Sequence, residues 1–97
     1  MKKIALLIPC LNEEVTIAKV INDFRDQFSN LDIYVIDNGS SDDTAILALK
    51  EGAKVISEPQ RGKGNAVRRA FADIMADIYI LVDGDGTYDA ASVNKMV

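Results

Sequence analysis

The chain has 97 residues, 48% hydrophobic and 27% charged, with a formal net charge of −4. This length allows one domain, the composition is that of an ordinary globular protein, and the acidic balance excludes a broad basic surface for nucleic acid. There is no histidine and a single cysteine, Cys10; these residues therefore offer no His triad, His base, His metal ligand or internal disulfide, and a reducing, cytoplasmic setting is expected.

Met1-Lys2-Lys3 and the apolar run Ile4–Ile8 have the flavour of a secretion signal. The run is shorter than the ~7–15 residues of an h-region, and Pro9 and Glu13-Glu14 follow at once, so it reads as a first strand. No run approaches the ~20 apolar residues of a membrane span. Over Glu14–Phe28, Ile17, Val20, Ile21, Phe24 and Phe28 recur every three or four residues, one apolar helix face. Ile33–Ile36 reads as a second strand. Ser41 is placed as the N-cap of a helix that reaches Glu51, with Asp42 and Asp43 in its first turn and Gly52 at C′. Lys54–Ser57 is a third strand. The loop Gln60–Gly64 opens a helix with Ala66, Val67, Ala70, Phe71 and Ile74 inward. Ile78–Val82 is a fourth strand, and Ala90–Val97 starts another helix.

Apolar strands alternating with helices predict an α/β fold, a doubly wound, mostly parallel sheet of about four strands covered on both faces. Ligands in such sheets bind outside the carboxyl ends of the strands. The polar residues that follow the four strands there are Asn12 and Glu13, Asp37 and Asn38, Arg61 and Lys63, and Asp83 and Asp85. A basic set beside an acidic set suits a metal-bound diphosphate.

Asp83-Gly84-Asp85 is a turn by composition, yet two converging carboxylates also suit a hard cation such as Mg²⁺ or Mn²⁺. An EF-hand loop does not fit, because Tyr88 and Asn94 stand where Gly and Glu are required. Asp37 and Asn38 could close a turn or accept N–H and O–H donors of a base or ribose. Gln60–Asn65 is a flexible loop or, with Lys63 and a helix start, a phosphate or sugar cradle. It matches neither the Walker A pattern nor the dinucleotide fingerprint. Asn12 and Glu14 suit a helix N-terminus, while Asn12 and Glu13 stay open to either role. Cys10 lacks a base to activate it and reads as packing.

Taken in order, Ile8-Pro9-Cys10-Leu11-Asn12-Glu13-Glu14, Val35-Ile36-Asp37-Asn38-Gly39-Ser40-Ser41-Asp42-Asp43-Thr44, Arg61-Gly62-Lys63-Gly64-Asn65-Ala66 and Leu81-Val82-Asp83-Gly84-Asp85-Gly86-Thr87-Tyr88 resemble family 2 glycosyltransferases, nearest the branch of dolichyl-phosphate mannose and glucose synthases. The resemblance covers essentially the whole chain and implies a GT-A fold, a UDP- or GDP-sugar donor and inverting transfer of a hexosyl group. It implies that Pro9, Leu11 and Glu13 line the nucleoside pocket, that Ile36 and Asn38 contact the base with Asp37 beside them, and that Lys63 lies near the diphosphate or sugar. It makes Asp83-Gly84-Asp85 the DXD motif, with Asp85 on the metal and Asp83 on ribose, sugar or metal. Many relatives carry Asp in place of Asn38 and an aromatic in place of Leu11, which bears on base preference. The implied acceptor is of the polyprenyl phosphate or polysaccharide class.

Family members are much longer than these 97 residues. The expectation is therefore an N-terminal, donor-binding part of the domain, truncated at its C-terminal end, with no identifiable catalytic base. The parent would act at the cytoplasmic face of the membrane. A non-catalytic nucleotide-binding or self-assembling module is the alternative, with homo-oligomers formed through an exposed sheet edge. A nucleotidyltransferase ranks lower, since Pro9-Cys10-Leu11-Asn12 has neither glycine nor base.

Overall fold

The computed structural model describes residues 3–28 and 30–85. Their elements run β1 (Ile4–Cys10), α1 (Ile17–Gln27), β2 (Leu31–Asp37), α2 (Thr44–Lys50), β3 (Lys54–Ser57), α3 (Lys63–Asp73) and β4 (Ile78–Leu81). The helix expected over Ala90–Val97, and Gly86, Thr87 and Tyr88, lie outside the described residues. Among the described residues no helix is long and apolar enough to cross a membrane.

The sheet is parallel throughout, in the order β3-β2-β1-β4. Alternation along the strands sends Leu6, Ile8, Ile33, Val35 and Ile80 to one face, where Ile17, Val20, Ile21 and Phe24 of α1 and Ala48 of α2 cover them. Ala5, Leu7, Tyr34 and Ile36 face the other way, under Ala66 and Ala70 of α3 and Ile74. Both faces are thus covered, as expected for a doubly wound layer. The chain steps from β1 out to β3, then crosses back to place β4 on the other side of β1. The carboxyl ends of β1 and β4 therefore lie side by side where the strand order reverses, the place at which ligands bind in such sheets.

Several boundaries differ from the sequence reading. Strand β1 continues through Pro9 to Cys10. The Cys10 carbonyl accepts from Asn38 N–H at 2.9 Å on the β2 side, and the Leu7 carbonyl from Val82 N–H at 3.1 Å on the β4 side. Residue 9 therefore turns its missing donor toward β4, whose pairing with β1 ends at Leu7↔Leu81. Helix α1 begins at Ile17, not Glu14, because Glu13 closes a turn whose carbonyl takes the N–H groups of Thr16 and Ile17 at 3.1 and 2.9 Å. Asn12 is not its cap. Helix α2 is entered at Asp43 rather than Ser41, with no side-chain cap from Asp43.

The helix ends as read. Gly52 has φ 87°, its N–H reaches the Leu49 carbonyl at 3.0 Å and Ala53 N–H reaches the Ala48 carbonyl at 3.1 Å, the paired bonds of a Schellman motif. Ala66 and Ala70 of α3, and Ile74 at its C-cap, face inward, but Val67 is half-buried and Phe71 is 52% exposed. Phe71 flanks the buried stripe, its ring edge-on to Tyr79 with centroids 4.9 Å apart.

Candidate functional site

A cleft of about 280 Å³ lies at the carboxyl end of the sheet, lined by Pro9, Cys10, Leu11, Glu13, Asn38, Gly62, Lys63, Asp83, Gly84 and Asp85. It lies at the place that the strand order predicts. The end of β1 supplies its floor, the start of α3 one wall, and the turn after β4 the other.

Charge is divided across it. Lys63 at the first turn of α3 forms an ion pair with Asp83, both half-exposed. Burial first, then the carboxylates of Asp85, Asp42 and Asp83, raise the Glu13 carboxyl above its ordinary range. Beneath them burial, with Glu13, Asp37, Asp42 and Asp83 behind it, pushes the Cys10 thiol up to about 12. It is no nucleophile at neutral pH, which agrees with its reading as a packing residue. A Cβ added at Gly84 would stand 2.6 Å from Cys10 Sγ and 3.3 Å from Glu13 Cγ. Glycine is what lets the Asp83–Asp85 turn settle onto the end of β1.

The loops are cross-tied by side-chain hydrogen bonds, among them those of Thr16 and Thr44, which residue patterns alone did not single out. The Thr16 hydroxyl donates to the Gly84 carbonyl at 2.6 Å, pinning the aspartate turn to the start of α1. Thr44, wholly buried, accepts the Glu13 N–H at 2.8 Å and is itself bonded to Asp42 through both its N–H and its hydroxyl. Asn12, in the left-handed region at φ 57°, receives Ser41 N–H on Oδ1 at 2.8 Å and gives its own N–H to Ser40 Oγ at 2.9 Å. The loops after β1 and β2 are thereby clamped together. Asp37 Oδ1 accepts the Ser40 N–H at 3.0 Å, tying down the turn that follows β2.

The expected site residues Pro9, Leu11, Glu13, Asn38, Lys63, Asp83, Gly84 and Asp85 come together in the cleft, and Cys10 and Gly62 join them. Ile36 does not: its side chain is fully buried in the core under α3, so it presents no side-chain surface to a base. Asp37 is not among the lining residues either. Asn38 lines the cleft, yet both of its amide hydrogens are already donated within the protein, to the carbonyls of Glu58 and Gln60 at 2.9 and 2.8 Å. As a hydrogen donor to a base it is fully committed. Gly62 was missed because its part is steric and conformational rather than chemical.

Among the described residues no three of His, Cys, Asp and Glu form a group able to hold a metal. Asp83 and Asp85 are hard oxygen donors, the chemistry that Mg²⁺ and Mn²⁺ prefer. They suit a cation whose shell is completed by oxygens of another molecule.

The model of the family described as "Glycosyl transferase family 2" matches residues 5–97. The chain belongs to glycosyltransferase family 2. It is 56% identical over 94 residues to Protein RfbJ of Shigella flexneri, covering 97% of this chain and 73% of that one. It is 47% identical over 96 residues to glycosyltransferase AglJ of Haloferax volcanii, covering 97% of this chain but 31% of AglJ. Among solved structures, Mycobacterium tuberculosis glucosyl-3-phosphoglycerate synthase in complex with Mn²⁺ and UDP-glucose superposes with a TM-score of 0.77 at 38% identity, over 87% of this chain and 33% of that one. The four-stranded parallel sheet flanked by helices described above is the GT-A architecture of these glycosyltransferase neighbours. The chain thus spans most of RfbJ's length and about a third of the longer relatives'.

Proposed function

We propose that these residues form the donor-binding part of a family 2 enzyme that transfers a hexosyl group, with inversion, from a UDP- or GDP-sugar. The observation that carries this reading is the Lys63–Asp83 pair beside Asp85, at the mouth of a cleft on the switch-point edge of the sheet. Pro9, Leu11 and Glu13 then form the nucleoside side of the cleft, and Asp37 holds the β2 turn next to it. The α3 start brings Lys63 to the diphosphate. Asp85, with Asp83, would hold Mg²⁺ or Mn²⁺; the mycobacterial neighbour was crystallised with Mn²⁺ and UDP-glucose. When bound, such a cation offsets the negative charge that grows on the departing diphosphate. Lys63 adds a second positive charge from the opposite wall.

None of the carboxylates of the described residues is assigned as the general base. We place the base and the acceptor contacts in the part of the family fold that these residues do not span. The acceptor class, polyprenyl phosphate or polysaccharide, follows the dolichyl-phosphate branch of the resemblance, and the cytoplasm is the site of action. Calorimetric titration of UDP and GDP with and without Mn²⁺ tests the reading. Binding is expected to depend on Mn²⁺ and to disappear in Asp85→Ala.

A self-assembling module is the second reading. Among the described residues β4 is an outermost strand whose Leu81 is 47% exposed, and Met75 beside α3 is 85% exposed. If neither nucleotide binds while sedimentation gives a dimer or larger, this reading replaces the first.

A further inference from the structure

Asn38 follows β2 directly, with its N–H on the Cys10 carbonyl at 2.9 Å. It is 5% exposed, one of two buried polar residues among those described. Its side chain does not reach across the cleft but turns into the loop between β3 and α3. Nδ2 donates to the Glu58 carbonyl at 2.9 Å and to the Gln60 carbonyl at 2.8 Å, and Oδ1 accepts the Gly62 N–H at 2.8 Å. Two carbonyls and one N–H around one planar group also fix which end of the amide is which. The 58–62 segment is wrapped around this single side chain.

The wrapping matters because of the residues just beyond it. Gly62 occupies the N-cap of α3 at φ 123°, and its carbonyl receives the N–H groups of Asn65 and Ala66 at 3.1 and 3.2 Å. Lys63 is the next residue, and its ammonium reaches Asp83 across the cleft. The Asn38 amide is thus one hydrogen bond and one peptide unit from the residue that carries the cationic wall. Only an amide meets all three partners. A carboxylate offers acceptors alone and would press an oxygen against two carbonyl oxygens.

We propose that Asn38 is a positioning residue, a latch that orders the 58–62 loop so that Lys63 stands at the diphosphate, rather than a reader of the base. The proposal rests on the donor-site reading above. It makes Asn38 a determinant of affinity for the diphosphate, blind to the nucleoside attached.

The test titrates UDP and GDP in the presence of Mn²⁺ into the chain and its variants, and follows hydrogen exchange at the Gly62 amide. Asn38→Asp is expected to weaken UDP and GDP by the same factor, about tenfold or more. In a Lys63→Ala background the same change is expected to add less than about twofold, because the latch acts through Lys63. Asn38→Ser, too short to reach Gly62, is expected to abolish protection of that amide, and it replaces Asn38→Asp in the titrations if the latter does not fold. A changed UDP-to-GDP ratio, or effects of Asn38 and Lys63 substitutions that simply add, overturns the latch. If the unaltered chain binds neither nucleotide, the donor-site reading fails by itself. The latch is then judged on exchange alone, and protection that persists in Asn38→Ser overturns it.

Discussion

Gly84 occupies a place where a methyl group has no room, with Cys10 Sγ 2.6 Å from the position a Cβ would take. Gly84→Ala is expected to destabilise the chain by about 1–3 kcal/mol and to weaken Mn²⁺-dependent UDP binding. Adding Cys10→Ala restores part of both, as urea unfolding and calorimetry of the double variant would show. Glu13 makes a second case. Its carboxyl is raised, so the folded chain binds that proton more tightly than the unfolded one, and the ionised form is the penalised one. The penalty is absent below the unfolded carboxylate range and grows as pH rises through the raised value. Glu13→Gln is therefore expected to raise the melting temperature at pH 7 in the presence of a chelator. The gain should shrink toward pH 4, which a pH series of thermal melts would read. The same residue that strains the ligand-free site is one of those facing the cleft.

At the scale of elements, the strands and helix faces were legible because apolar periodicity is a local signal, and the core of α1 is the stripe of Ile17, Val20, Ile21 and Phe24 that spacing predicts. Helix starts were less so. Asn12 and Ser41 are good caps by composition, but each finds a better partner in the other's loop, a contact 29 residues apart in sequence that no local pattern encodes. Asn38 shows the same limit: its type suited base recognition, and its partners lie 20 to 24 residues downstream. Phe71 failed as a core residue because its neighbour on that side is β4, the outermost strand among the described residues. These long-range ties have measurable worth. Thr16→Val removes the bond to the Gly84 carbonyl and is expected to cost about 1 kcal/mol of stability. It should lower UDP affinity in Mn²⁺ more than in its absence, since the turn it releases carries Asp83 and Asp85.

For the whole molecule, the order β3-β2-β1-β4 makes β1 and β2 the two inner strands: they pair with each other at seven positions, β1 with β4 at four and β2 with β3 at four. Amides of Leu6 and Ile8 are expected to exchange last, and those of the four-residue strands β3 and β4 first, in a native-state hydrogen-exchange series. Strand order is also what the sequence revealed only in part. Which loops share an edge follows from parallel pairing, but that the ends of β1 and β4 lie side by side follows from the crossover back over β1. Across the cleft there runs the ion pair of Lys63, carried by α3, and Asp83, carried by the turn after β4. In the donor-site reading, each ligand claims one member of this pair. A diphosphate arriving alone draws off Lys63 and strands a carboxylate; a cation arriving alone draws off Asp83 and strands an ammonium. When both arrive, the two partners are exchanged and no charge is left over, so each ligand tightens the hold on the other by the same factor.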